Sequence, residues 1–457
     1  MTRVDTISRA WGTKLSRSGA ANQTPPADAD EVSWGDPERT GTAYDFRCTQ
    51  MPLFSLLVQR RNRRALTPLL TTAADAITTP SLRQLAAISR ATLNDDVFGE
   101  DRATAQLERH MAAVCSRDAA AFVISGTMAN QLALGALLGH QRAGAVGPRG
   151  VLADAAAHVV NFEAGGLAAL SGATVLPVQP TNGLYLTVAD VMEHAKVELD
   201  NDGSSDNNDD DCDELPLTDC PTRIVSLENT VHGNVVPIRE LRALKEWASS
   251  RGVLMHIDGA RAWHAVASKR GTSGGTLVDI AACADAMTLS FAKGIGAPIG
   301  AVVVGSAAVV RRVKRLRQSI GGGVRKMGVL AAAAREALLE NFGPENVDVR
   351  GVFGHAHDMA AAVSRMWTDR GGRLSRPTET NMVWLDLASA GVTADALNQM
   401  GLQSGILLAG PRIVLHYQIC SKALASLEQV FERILVHREL EADAGPNGFA
   451  VRSKACV

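Results

Sequence analysis

Two rhythms of apolar and polar positions alternate along most of the chain. Short continuous apolar runs, bounded by small or turn-forming residues, read as buried strands at 119–124, 151–153, 174–178, 224–227, 253–257, 286–289 and 301–304. Segments with helical spacing separate them: 82–92, a helix carrying Leu107, Met111 and Val114, the run after Asn130, 188–196, 238–250, 307–319 and an alanine-rich stretch from 328. The alternation then continues with a helix over 356–369, strands over 382–387, 406–410 and 412–418, and helices over 394–400 and 421–440. Strands and helices in alternation predict an α/β fold.

Two stretches break the rhythm. Within residues 1–70, the first fifty lack sustained periodicity, and 51–70 combine an apolar start with Arg60, Arg61, Arg63 and Arg64 and no acid. They read as a disordered or targeting-like extension. Residues 198–214 hold nine acids among Asn, Ser and Gly. Such a run repels itself and reads as a disordered surface loop, and its spacing does not meet the EF-hand pattern for calcium.

Composition narrows the function classes. The net charge of -2 over 457 residues points to neither nucleic acid nor an anionic membrane surface. No apolar run approaches the length of a bilayer span. The seven cysteines show no metal-ligand spacing and fit a reducing compartment without a disulfide framework. The basic helix 307–319, with Arg311, Arg312, Lys314, Arg315 and Arg317, reads as a solvated or subunit-facing surface, because no aromatic residues interleave with it.

Candidate chemistry gathers where strands end. Lys293 stands between two apolar strands among small residues, where desolvation favours a neutral, nucleophilic amine; taken alone it reads more readily as a loop lysine reaching solvent. Ser125, Gly126 and Thr127 join a strand to a helix start, which suits either an anion or simple capping. His158 lies just beyond a strand end, where open α/β sheets bind ligands, although a hydrogen-bonded structural histidine is the commoner occupant of such a place. Asp258 ends another strand and needs a cation or hydrogen bonds, with Arg261 close by in sequence. Arg325 follows the turn Gly321–Gly323, and Arg412 opens a late strand.

Eight runs together resemble the threonine aldolases, especially the eukaryotic low-specificity L-threonine aldolases: NDDVFGED, AFVISGTMANQLAL, AHVVNFEAGGLAALSGA, SLENTVHGNVVP, LMHIDGAR, AKGIGAPIGAVVVG, IGGGVRK and PRIVLHYQ. They occur in family order between residues 75 and 435. The resemblance implies an aspartate-aminotransferase-like fold (pyridoxal-phosphate fold type I), with a mostly parallel sheet sandwiched by helices. It implies a large cofactor domain over 71–330, a small C-terminal α/β domain over 331–440 and a tail over 441–457. It further implies pyridoxal 5'-phosphate as cofactor and retro-aldol cleavage of L-threonine or L-allo-threonine to glycine and acetaldehyde.

By the same resemblance, Lys293 would carry the cofactor, Asp258 would pair with its ring nitrogen, and His158 would stack on the ring and serve as a candidate base. Ser125, Gly126 and Thr127 would hold the phosphate, and Arg325 would reach a phosphate in a neighbouring subunit. Arg261 and Arg412 would clamp the substrate carboxylate, and His232 would lie near the substrate hydroxyl. A homo-oligomer, dimer or tetramer, is implied, acting on a small amino acid in the cytoplasm, with the mitochondrion as alternative address. Another pyridoxal lyase or racemase, or a cofactor-binding paralogue without turnover, would present the same cofactor residues. The chain departs from the family at TTAADAITTP, where Ala73 and Ala74 stand for the usual arginine and carboxylate-binding serine, and at Lys326, which replaces a glutamine.

Overall fold

The structure is a computed structural model that describes residues 70–72, 74–139, 148–197, 215–268, 274–343 and 351–443. The expected extension up to residue 69, Ala73, the acidic loop and most of the expected tail lie outside the described residues. The strands are β1 (Leu70–Thr71), β2 (Ala119–Val123), β3 (Gly150–Asp154), β4 (Thr174–Val178), β5 (Thr222–Glu228), β6 (Leu254–Gly259), β7 (Ala286–Ser290), β8 (Ala301–Gly305), β9 (Met382–Trp384), β10 (Ile406–Leu407) and β11 (Arg412–Val414).

Seven of them form one sheet in the order β2-β8-β7-β6-β5-β3-β4. All neighbours are parallel except those of β8, which runs against both β2 and β7. β3, β7 and β8 are buried along their whole length, which explains why they read as unbroken apolar runs rather than alternating ones. Two apolar clusters contribute to this burial. One gathers Phe122, Leu152, Val225, Met255 and Ile257, and the other gathers Val123, Val151, Ile224 and Val303 with the helix Gly126–Leu138.

Because β2, β3, β5, β6 and β7 point the same way, their carboxyl ends open on one rim. Ser125, His158, Glu228, Asp258 and Lys293 all sit at or just after those ends. Residues 356–435 build a third cluster, around Trp367, Ile413 and Phe431. There β9 pairs antiparallel with β11, and β10 takes β1 as a parallel neighbour.

Two expectations are corrected. The late strands pair over only three residues in β9 and β11 and two in β10, because each finds a single short partner. The basic helix, observed as Ala307–Ser319, is not uniformly solvated. Arg317 is buried, donating to the Phe122 carbonyl at 2.7 Å and to Asp96 Oδ2 at 2.8 Å, and Lys314 reaches Glu108 Oε2 at 2.6 Å. Its apolar face packs on the sheet through Val309, Val310 and Val313, and Arg317 lies one turn beyond Val313 on that face.

Candidate active site

The rim forms an open cleft lined by His158, Glu228, His232, Asp258, Arg261, Lys293 and Arg412 among others. Lys293 lies in the turn joining β7 to β8. Gly296 makes that turn at φ +81°, where a Cβ would strike the Tyr417 hydroxyl at 2.3 Å. Gly294 is equally obligatory, since its Cβ would meet His264 Nε2 at 2.7 Å. Burial and the nearby Arg261 charge push the Lys293 amine down, although Asp258, Asp75 and Glu228 pull the other way. The result is an amine drawn toward its neutral, nucleophilic form.

Asp258 closes β6 and is buried. Its Oδ2 accepts the Asn130 amide at 2.7 Å and its Oδ1 the Ala260 N–H at 2.9 Å. Burial works against its charge, but Lys293, Asn130 and the Ala260 N–H prevail and hold the carboxyl below its ordinary range. Asn130 is the hub of this layer. Its second amide hydrogen goes to Glu163 Oε1 at 2.9 Å, and its carbonyl accepts the Thr288 hydroxyl at 2.8 Å.

Glu163 in turn holds His158. Its Oε1 lies 2.7 Å from His158 Nδ1, and this bond outweighs partial burial, so the imidazole is pushed up. The pairing puts a proton on Nδ1 and leaves Nε2 as an acceptor. Phe162 rests against the same ring at 5.5 Å. His232 is the opposite case. Burial first, then the charges of Arg376, Arg412 and Arg261, push it down to about 4, so it is neutral. Its backbone sits at φ 51°, an unusual conformation for a side-chain-bearing residue, and Trp384 Nε1 donates to its carbonyl at 2.8 Å.

The structure brings Lys293, His158, His232, Asp258, Arg261 and Arg412 to one cleft. Ser125, Gly126 and Thr127 form the start of the helix Gly126–Leu138, where Ser125 Oγ accepts the Met128 N–H at 3.1 Å and a Cβ on Gly126 would meet nothing within 4 Å. Arg325 is not at the cleft within this chain; it donates to Asp95 and lies over the Phe98 ring at 5.8 Å. Arg261 differs from the simple clamp expected of it. Its Nε and Nη2 both bind the buried Asp75, at 2.8 and 2.7 Å, so only its Nη1 end remains for the cleft.

Sequence reasoning missed Asp75, Asn130, Glu163 and Glu228. Asp75 stood in plain view as the one acid of TTAADAITTP. Asn130 and Glu163 lie inside quoted runs, but only folding aims them at Asp258 and His158. The segment around Ala74 docks beside the cleft, since the Val414 N–H donates to the Thr72 carbonyl at 2.8 Å and Asp75 binds Arg261.

A nucleophilic lysine, an ionised strand-end carboxylate and an open helix start on the rim of a mostly parallel sheet define the class of fold type I pyridoxal-phosphate enzymes. The chain belongs to the beta-eliminating lyase family, whose model matches residues 72–390. It is 43% identical over 362 residues to the alanine racemase TOXG of Cochliobolus carbonum, covering 79% of this chain and 86% of that one. It is 42% identical over 363 residues to the aldolase vrtJ of Penicillium aethiopicum, covering 79% and 85%. Identity to the low specificity L-threonine aldolase of Saccharomyces cerevisiae is 35% over 355 residues, covering 78% and 84%. The solved threonine aldolase of Leishmania major shares the fold with a TM-score of 0.63 at 18% identity, covering 80% of this chain and 99% of that one.

The residues present fit the family's cofactor, pyridoxal 5'-phosphate: an open helix start for a phosphate, an acid held in its charged form for a ring nitrogen and a buried amine pushed toward its neutral form for its aldehyde. Among the described residues no helix is long and apolar enough to cross a membrane, and no group of His, Cys, Asp and Glu could hold a metal ion.

Proposed function

We propose that the protein cleaves the Cα–Cβ bond of L-threonine or L-allo-threonine, releasing acetaldehyde and glycine. The observation that carries this reading is the His158–Glu163 pair opening on the same cleft as Lys293 and Asp258. When bound, the cofactor supplies a sink for the electron pair left at Cα as the bond breaks. Lys293 would carry the cofactor through its amine, which burial pushes toward the neutral form. Asp258, ionised in its buried site, would hold the proton on the ring nitrogen. Ser125, Gly126 and Thr127 would take the phosphate on free N–H groups and hydroxyls. Arg412 and the Nη1 end of Arg261 would bind the substrate carboxylate. His158 Nε2, made more basic by Glu163, would take the β-hydroxyl proton, and neutral His232 would hydrogen-bond the same hydroxyl. Arg325, with a side chain 64% exposed, would serve a phosphate only across the boundary of a homo-oligomer.

The names of the aldolase relatives support this reading. A second one, alanine racemisation, is favoured by the relative at 43% identity. Racemisation of alanine moves only the Cα proton and offers no β-hydroxyl for the His158–Glu163 pair to deprotonate. Purified protein incubated separately with L-threonine, L-allo-threonine and L-alanine separates the two. Equal amounts of acetaldehyde and glycine, with no D-alanine, are expected. D-alanine without acetaldehyde would establish the racemase, 2-oxobutanoate and ammonia from threonine a β-elimination, and no product at all a paralogue without turnover.

Ala74 gives a further test. The family's serine would add one hydrogen bond to a charged carboxylate, and the segment docks where such a bond could form. Ala74→Ser is expected to lower KM by roughly tenfold or more, the equivalent of about 1.5–3 kcal/mol, while kcat changes much less. Steady-state kinetics on L-threonine check it, and an unchanged KM would mean that another group already binds the carboxylate.

A further inference from the structure

The cleft holds a second carboxyl that the roles above leave unused. Glu228 ends β5 directly beside Asp258, its register partner at the end of β6. Glu228 Oε1 accepts the backbone N–H of His158, and the residue lines the cleft. No hydrogen bond is made by its Oε2 among the described residues. Two carboxyls at adjacent strand ends cannot both ionise cheaply. Asp258 has the better claim to the charge, because Asn130, the Ala260 N–H and Lys293 all stabilise it.

We propose that Glu228 positions His158 and works as a neutral carboxylic acid, accepting the His158 amide through Oε1 and donating a hydrogen bond from its Oε2–H, which keeps its proton, to an oxyanion in the cleft. The inference deepens the aldolase reading and rests on it. Neighbouring carboxyls with opposed environments divide the roles of acid and anion between them. Four ionisable groups face Glu228: His158 beyond β3, Asp258 on β6, Arg261 after β6, and Lys293 in the β7–β8 turn. Burial and the Asp258 charge push the Glu228 carboxyl up, while the His158 N–H, the His158 ring and Lys293 oppose them without reversing the shift.

The sign of the linked stability follows. A carboxyl raised above its ordinary value of 4.5 favours folding most below that value, and the advantage is lost as pH rises through the raised one. Glu228→Gln carries the same donor and acceptor at every pH, so it should not show this loss.

Melting of cofactor-free wild type and Glu228→Gln is therefore compared at pH 5 and pH 9. The difference in Tm is expected to move in favour of Gln by about 3–8 °C across that interval. In cofactor-loaded protein, threonine cleavage at pH 7 should fall no more than about fivefold in Glu228→Gln and more than about thirtyfold in Glu228→Ala, and the alkaline fall of kcat should vanish in Gln alone. A pH-independent Tm difference, or a Gln variant as impaired as Ala, overturns the proposal. Wild type unable to cleave threonine overturns the aldolase reading instead, and the melting comparison then decides Glu228 alone.

Discussion

Replacing Lys293 by alanine is expected to lower threonine cleavage by more than about a thousandfold while the protein still folds. The size follows from the lysine's circumstances. Its amine is pushed down by burial and by Arg261, toward the form that attacks a carbonyl. Among the described residues no other lysine lines the cleft. The fold should survive because β7 and β8 are held by their own ladder, from Ala286 opposite Gly305 to Ser290 opposite Ala301, and the lysine belongs to the turn between them. Asp258 loses one cation but keeps Asn130 and the Ala260 N–H.

Three measurements belong together: product formation, the visible absorption of added cofactor, and the circular dichroism melt. Turnover should vanish, the lysine-bound absorption band should be missing, and the melt should remain cooperative. Lys293→Arg sharpens the test, since it keeps a cation in the turn but offers a guanidinium that stays protonated. If either variant turned over within tenfold of wild type, Lys293 would not be the cofactor's anchor.

The framework was legible because strands buried on both faces write themselves as apolar runs. The runs at 151–153, 286–289 and 301–304 appear as β3, β7 and β8 with bounds shifted by a residue at most. The candidate residues at strand ends were legible for the same reason: once the strands are known, Asp258 and His158 fall on the rim of the sheet. Pairing across the fold was not legible. Arg261 and Asp75 are 186 positions apart, and nothing local tells the guanidinium which acid it will meet. Glu228 and Asp258 become neighbours only through the register of β5 on β6. Arg317 looks like its solvated neighbours in sequence, and only the docking of its helix turns it toward Asp96.

Asp75→Asn should destabilise the protein and raise KM together. Asp75 is buried, with one oxygen on Arg261 Nε and the other on Nη2, and the Asn381 amide approaches at 3.3 Å. Burial alone would push its carboxyl up, but the Arg261 charge and both its hydrogen bonds hold it well below the carboxylate range. An amide can accept only one of those two bonds and carries no charge. Arg261 would then stand in a cleft with Lys293 and Arg412, its own counter-ion gone. Breaking such a pair costs about 3–5 kcal/mol, and the lower end applies because Arg261 is 20% exposed. The freed guanidinium would also lose the orientation that aims its Nη1 end, so KM for threonine should rise by roughly tenfold or more.

The pH dependence has a fixed sign. A carboxyl depressed in the folded state stabilises above its unfolded value of 3.8, and that contribution fades as pH falls toward the folded value. Urea unfolding should therefore show a constant gap between wild type and Asp75→Asn from pH 7 to pH 5, narrowing from about pH 4 downward. A variant as stable as wild type at pH 7, with KM unchanged, would mean that Arg261 is oriented by something other than Asp75.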